Sequence, residues 1–353
     1  MAAWGDFHQV TGAGWSVFWR ISQMDGSGLE VWWGDFHGRR VLWRGTQPFA
    51  IVPYHNPIPG EPVPPEFTFK DGINPQCHGA SFRALKHSAP NSGAPWKSSA
   101  WDAAVDTEAV VVDVEAATDF DPASLTISAK FQCGWYQYVH RWEFHGDGEI
   151  HPHLGMGGML NPNDPSKAHT HHMYFRIDLD IDGFSSDVFE VFDHKDYADP
   201  GGDAWTIVTK QGKHLANPPS ARKFRVRDLK SASEKGDLRG YEIELPQLAS
   251  VDTRGTGDLW VTVYRGDTVE QGSEVGMHCD DRELEQLYAS GSLDTANGSD
   301  IVLWVAIRHH HETRYKAEEA EYLPYHYEAF SITPRGFEVF KVDKRQGAER
   351  TGA

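Results

Sequence analysis

The sequence predicts an all-β protein with few short helices, and three observations predict it. Apolar and polar residues alternate along most of the hydrophobic stretches, as they do in half-buried strands. The segments that read as helices, Asp281–Tyr288 and Arg314–Tyr322, are short, and neither can carry a fold. Clusters of Gly, Pro and Ser separate the strand-like runs. No composition break divides the chain after residue 100. All 353 residues are therefore expected to form one domain, a length that large β sandwiches reach.

Taken in order, Trp15-Ser-Val-Phe-Trp19 and Leu29-Glu-Val-Trp-Trp33 read as paired strands split by the turn Asp25-Gly-Ser-Gly28. Arg40-Val-Leu-Trp43 and Phe49–Val52 continue the meander. The pentapeptide WGDFH occurs twice, at Trp4–His8 and Trp33–His37, with no longer similarity around it, so no repeat architecture is implied. Residues 53–65 are proline-dense and read as an extended surface connection. A ragged stretch follows to about Lys97, after which strands resume at Glu108–Val114 and Leu125–Phe131.

Three later strands carry histidines. In His169-Thr-His-His-Met-Tyr-Phe-Arg-Ile-Asp-Leu-Asp-Ile-Asp-Gly183 the odd positions are apolar except His169 and His171. The even positions are polar and end in three carboxylates, so this reads as a half-buried strand with two imidazoles on its inward face. Two such imidazoles lie about 7 Å apart at Cβ and can share one metal ion; hydrogen-bonded core histidines are the plain alternative. Asp300–His311 repeats the pattern, with Ile301, Leu303, Val305, Ile307, His309 and His311 on one face and His310 on the other. Between Cys133 and Gly158, Tyr136, Tyr138, His140, Trp142 and Phe144 share a face, Gly146–Gly148 turns, and the next strand carries a second His-x-His, His151 and His153. Imidazole at the end of a buried stripe is costly if charged and unliganded. Nitrogen-rich sites of this kind suit copper or zinc.

The formal charge of −18 argues against nucleic acid, whose phosphates would be repelled, and favours cationic small molecules. No apolar run approaches the length of a membrane span, and Met1–Gly12 lacks the pattern of a signal peptide. Cys77, Cys133 and Cys279 form no CxxC and leave room for one bridge at most. A cytoplasmic protein with no nucleic-acid or membrane partner is expected.

These segments, in this order, resemble the catalytic domain of the copper-containing amine oxidases. His169-Thr-His171 followed by Phe175-Arg176 and the Leu179-Asp-Ile-Asp-Gly183 run looks like the family's copper-binding strand. Asp300-Ile-Val-Leu-Trp304 leading to His311-Glu-Thr-Arg314 is similar to the strand of the third ligand and selects His311 over His309 and His310. Phe49-Ala-Ile-Val-Pro-Tyr54 resembles the family's VPY segment, and Leu323-Pro324, Phe330, Pro334 and Gly336-Phe337 its closing pattern. The resemblance spans about residues 13–340 and leaves out the smaller N-terminal domains that usually precede this domain. It implies an antiparallel β super-sandwich, usually a homodimer, with Cu2+ held by His169, His171 and His311.

The resemblance also implies a cofactor. In the family, a tyrosine inside Asn-Tyr-Asp/Glu becomes topaquinone, and Gly134-Trp-Tyr-Gln-Tyr138 puts Tyr136 at that position. Its neighbours Trp135 and Gln137 replace the amide and the carboxylate that orient the quinone; by strand parity both point away from the Tyr136 ring. Asp71, in Phe69-Lys-Asp-Gly72, stands nearest the family's proton-abstracting aspartate, against a surface-turn alternative. Tyr54 matches the tyrosine that hydrogen-bonds the cofactor, against a buried aromatic with a satisfied hydroxyl. Asp178, Asp180 and Asp300 match a peripheral Ca2+-type site, against a solvated acidic face. His151 and His153 match nothing in the family: supporting groups, surface histidines and a novelty of this pocket all fit them.

Three functions follow. The first is oxidative deamination of a primary amine with O2 through a quinone on Tyr136. The second keeps the copper site without the quinone, for oxygenation or for a non-redox rearrangement or elimination. The third is a non-catalytic descendant that binds a small ligand.

Overall fold

A computed structural model describes residues 6–22, 28–54, 68–73, 77–87, 109–158, 168–193, 205–214, 222–246, 259–266, 291–311 and 323–337. At positions 193, 310, 311 and 323–325 it describes the backbone alone. The described elements are strands, every pair of them antiparallel, in two sheets. Both expected helices, the turn Asp25-Gly-Ser-Gly28 up to Ser27, and most of the proline-dense connection lie outside the described residues.

The first sheet comprises β1 (His8–Gly12), β2 (Trp15–Ser22), β3 (Gly28–Phe36), β4 (Arg39–Pro53), β5 (Thr68–Gly72), β11 (His169–Asp178), β14 (Gly212–His214), β17 (Leu259–Val263) and β18 (Ile301–His311). Its order is β1-β2-β3-β4-β11-β18-β17-β14, with β5 paired to the far end of β4. The second comprises β6 (Arg83–Leu85), β7 (Val110–Glu115), β8 (Ser124–Cys133), β9 (Tyr136–His145), β10 (Ile150–Gly158), β12 (Asp187–Asp193), β13 (Trp205–Ile207), β15 (Arg222–Ala232), β16 (Leu238–Glu244), β19 (Leu323–Ala329) and β20 (Ser331–Arg335). Its order is β13-β12-β15-β16-β20-β10-β9-β8-β6, with β19 beside β10 and β7 beside β8.

The inward residues of both sheets meet in one core. Trp15 lies against Phe144 with ring centroids 5.1 Å apart, and Phe175 meets Phe330 edge-on at 5.1 Å. Gly45 admits Trp142 of the opposite sheet: a Cβ there would stand 2.4 Å from the indole. This close approach stacks β9 over β4 and β11, which brings the tyrosines of one strand to the histidines of the other.

Two expectations change. Arg40–Trp43 and Phe49–Val52 belong to one strand, β4, because β3 pairs with its first half and β5 with its second while β11 runs along both. And β11 is buried on both faces. Its even side is covered by aromatics of neighbouring strands, with Tyr174 stacked on Phe49 at 4.6 Å and tilted against Trp260 at 5.8 Å. Cys77 is disulfide-bonded, and Cys133 is a free, buried thiol.

Three strands of the first sheet are tied by a buried ion network. Glu30 accepts from Arg20 at 2.7 Å, Arg44 at 2.7 Å and the Trp32 indole at 2.8 Å. Burial opposes its ionisation, but Arg44 and Arg20 hold its carboxyl below the usual range. Removing one partner of such a network strands the others, so Glu30→Ala is expected to cost about 3–5 kcal/mol in denaturant unfolding. A loss below about 1 kcal/mol would show that the arginines find other partners.

Candidate active site and metal centre

Strand alternation turns Tyr136 and Tyr138 of β9, and His169 and His171 of β11, into the space between the sheets. All four are buried. The Tyr136 hydroxyl shares hydrogen bonds with His169 Nε2 at 2.6 Å and with the Tyr54 hydroxyl at 2.8 Å. Tyr54, one residue past the end of β4, also stacks on the His169 ring at 4.4 Å. The two imidazole rings lie 5.1 Å apart, and the Tyr136 ring meets His171 edge-on at 4.8 Å. Tyrosine hydroxyl and imidazoles thus share one buried pocket.

Asp71 reaches the same pocket from β5. Tyr138 donates to its Oδ2 at 2.9 Å and lies 3.3 Å from His171 Nδ1, so one phenol links carboxylate to imidazole. The Ala80 amide donates to Asp71 Oδ1 at 3.1 Å. That amide is delivered by close packing: a Cβ on Gly79 would collide with the Lys70 carbonyl. Cys133 donates its thiol hydrogen to the Ala80 carbonyl at 2.8 Å, closing this side of the pocket.

The electrostatics follow from burial. Asp71 is pushed up to about 6 by desolvation, against the hydrogen bonds from Tyr138 and Ala80 that favour its charge. Burial, with Tyr54 beside it, holds the Tyr136 phenol well above its ordinary range; burial and then Asp71 do the same for Tyr138. Both phenols are neutral at neutral pH. A carboxylate that titrates near 6 beside neutral phenols can accept a proton in a water-poor site.

The structure therefore gathers Tyr136, Tyr54, His169, His171 and Asp71, and Asp71 sits on a strand at 4% exposure, not on a surface turn. His311 lies across from His169 in the β11–β18 register; its side chain and that of His310 are outside the described residues. His309 lies across from His171, but its Nδ1 is 2.6 Å from Glu328 and its ring stacks on His326. The expected orientation of Trp135 is corrected. Gly134 and Trp135 form the turn before β9, with Gly134 at φ +57°, so strand parity does not apply, and the indole packs edge-on against Phe69 at 5.2 Å beside the Tyr136 ring. Gln137 does follow parity and donates to Gln132 at 3.1 Å.

Sequence reasoning named no role for Tyr138, although its place two residues after Tyr136 puts it on the same face. Cys133 and the Gly79–Ala80 amide left no local signal, because their contacts are made across the pocket. Asp178, Asp180 and Asp300 each offer an oxygen within 4.8 Å of the others, beside Trp43, Phe184 and Tyr264. The first two are buried, not on a solvated face, and burial pushes Asp180 up to about 6. Nearby Asp187 is raised further, by burial and by Asp228, Asp180, Asp300 and Asp178.

Comparison with known proteins bears on the family and the fold. Residues 115–345 match the family model of the copper amine oxidase enzyme domain. The copper-containing amine oxidase gamma 2 of Arabidopsis thaliana is 23% identical over 239 residues, 54% of this chain and 34% of that protein. Among solved structures, a copper-containing benzylamine oxidase from Hansenula polymorpha superposes with a TM-score of 0.65 at 18% identity, covering 93% of this chain and 60% of that one. An Aspergillus nidulans amine oxidase gives 0.61 at 15% identity, covering 93% of this chain and 51% of that one. The chain thus spans about a third of the curated relative and 51–60% of these structures.

Proposed function

The chain belongs to the copper amine oxidase family, and from that premise we propose that it is a copper-dependent oxidoreductase that deaminates a primary amine through a quinone formed from Tyr136. The overall reaction is amine plus O2 plus water to aldehyde, ammonia and H2O2. The observation that carries this reading is the contact of the Tyr136 hydroxyl with His169 Nε2 at 2.6 Å, in a pocket that also holds His171. Buried imidazoles form a donor set that fits copper. His169, His171 and His311 would hold the ion. Bound there, copper supplies, with O2, the oxidation of the Tyr136 ring and the return of electrons to O2.

The chain's own groups do the rest. Tyr54 holds the oxygen of residue 136 by its hydroxyl and stacks on His169, which fixes both against each other. Asp71 takes the α-proton of the bound substrate, and Tyr138 and the Ala80 amide aim its two oxygens. Trp135 and Phe69 wall the pocket and exclude water. The net negative charge favours approach of a cationic amine, and a homodimer is the assembly this reading implies. Asp178, Asp180 and Asp300 are proposed as a peripheral Ca2+-type site, where crowded carboxylates would be relieved by a hard cation.

One observation favours a second reading. Trp135 and Gln137 flank Tyr136 where the family has an amide and a carboxylate, and the Gln137 side chain is engaged by Gln132. A tyrosine that stays unoxidised would leave a quinone-free metal enzyme. Copper-loaded protein, purified in air, separates the two: the first requires visible absorbance that shifts with phenylhydrazine, and H2O2 released on adding primary amines. Metal content without either supports the second. In both readings His171→Ala removes one of the ligands, and mild chelation should then strip the copper, read by metal analysis. Occupancy equal to the wild type would show that His171 is not a ligand.

A further inference from the structure

The outer face of the second sheet carries a cluster that the proposed reaction does not use. β9 and β10 pair with Glu143 opposite His151, Arg141 opposite His153 and Phe144 opposite Ile150. The even residues of these strands are buried in the core, so the odd ones share the other face. There Glu143, His145 and His151 each offer one ligand atom within 4.8 Å of the others. His145 Nε2 is 3.6 Å from Glu143 Oε2, within ion-pair range but longer than a hydrogen bond, and it makes no hydrogen bond among the described residues. The His145 and His151 rings stand 4.4 Å apart.

We infer that Glu143, His145 and His151 form a second metal site, for a divalent transition ion of the zinc class, separate from the pocket between the sheets. The spacing has the right scale: bonds of about 2.0–2.2 Å in a tetrahedral shell separate ligand atoms by roughly 3.3–3.6 Å. The ligand atoms already lie within 4.8 Å of one another, one pair at 3.6 Å, and the antiparallel register holds the two backbones side by side. Two imidazoles and one carboxylate form an intermediate-softness donor set that suits zinc, with copper(II) stronger still and calcium or magnesium disfavoured.

The surroundings are those of a supported site. His153 Nε2 lies 3.1 Å from Glu143 Oε2, and Arg141 engages the other oxygen, so the carboxylate is aimed from two sides. Glu149 lies 3.0 Å from His151 Nε2 and itself accepts from the Thr333 hydroxyl at 3.2 Å. Outer carboxylates of this kind orient metal-bound imidazoles. Side-chain exposures of 16% for Glu143, 20% for His145 and 28% for His151 leave an entry path and room for water in the open position. The site clamps β9 to β10 on the face opposite Tyr136.

The test is equilibrium dialysis of metal-stripped full-length protein against micromolar Zn2+, with bound metal counted by mass spectrometry. The double variant His145→Ala/His151→Ala is expected to bind one equivalent fewer than the wild type. On a His171→Ala background, the same pair should remove one further equivalent, which separates the outer site from the buried one. Glu143→Gln keeps the shape of the cluster and should weaken Zn2+ tenfold or more, and His153→Ala should do so by about 10–100-fold. Zn2+ should also raise the melting temperature of the His171→Ala protein, and adding the double substitution on that background should remove the rise. Equal zinc counts in wild type and double variant, or unchanged affinity in Glu143→Gln, would overturn the site.

Discussion

Tyr136→Phe should abolish amine turnover and visible absorbance while leaving copper bound. The substitution removes one oxygen from a ring held between Tyr54 and His169 and leaves both imidazoles in place. Without that oxygen no quinone can form, and losing a covalent catalyst costs on the order of 10⁴-fold or more. The stability cost is smaller, about 1–3 kcal/mol, because the Tyr54 hydroxyl and His169 Nε2 are left short of one buried partner. Metal analysis beside an H2O2 assay reads both effects. Turnover that survives in this variant would eliminate the quinone and leave the metal alone to carry the chemistry.

Asp71→Asn should lower kcat/KM by about 10²–10⁴-fold, the usual contribution of a positioned general base. The amide oxygen can accept from the Ala80 N–H and its NH2 can donate to the Tyr138 oxygen, but it cannot take a proton. Because the carboxyl is pushed up to about 6 by burial, wild-type activity should rise with pH through that value as the base ionises. Stability should move the other way. A carboxyl raised from 3.8 to about 6 gives a contribution that is complete below 3.8 and is lost as pH rises through 6. At pH 8 the buried charge therefore costs roughly 3 kcal/mol at most, and Asp71→Asn should unfold no more easily than the wild type there. An inactive variant that is as stable as its parent is the signature of a functional carboxylate. A variant that keeps its activity and loses the acid limb of the profile would assign that limb to Asp71 and the proton transfer elsewhere.

The same residues show how far local pattern reaches. Side-chain alternation is a property of one strand, so the inward placement of Tyr136, His169 and His171 could be read from spacing alone, as could the all-β class. Alternation does not say how many layers cover a strand. The even side of β11 carries Arg176 and Asp178 and looked like a wet face, yet aromatics of β4, β17 and β18 bury it, and Arg176 answers Asp178 at 3.1 Å. Nor does parity survive a turn, which is why Trp135 stands beside the Tyr136 ring instead of behind it.

The amino-acid order alone determined the strands, their inward stripes and the histidines at their ends, because those depend on the backbone period of neighbouring residues. The contacts that make a site out of them are non-local. Asp71 meets Tyr138, 67 residues on, because β5 attaches to the far half of β4 and the Gly79–Ala80 segment folds over it. Glu143 meets His151 because the β9–β10 register pairs them, and a slip of one residue would have put His151 on the other face. Register, layering and burial are set by the packing of the whole chain, and with them the proton affinity of Asp71 and the ligand geometry of each metal cluster.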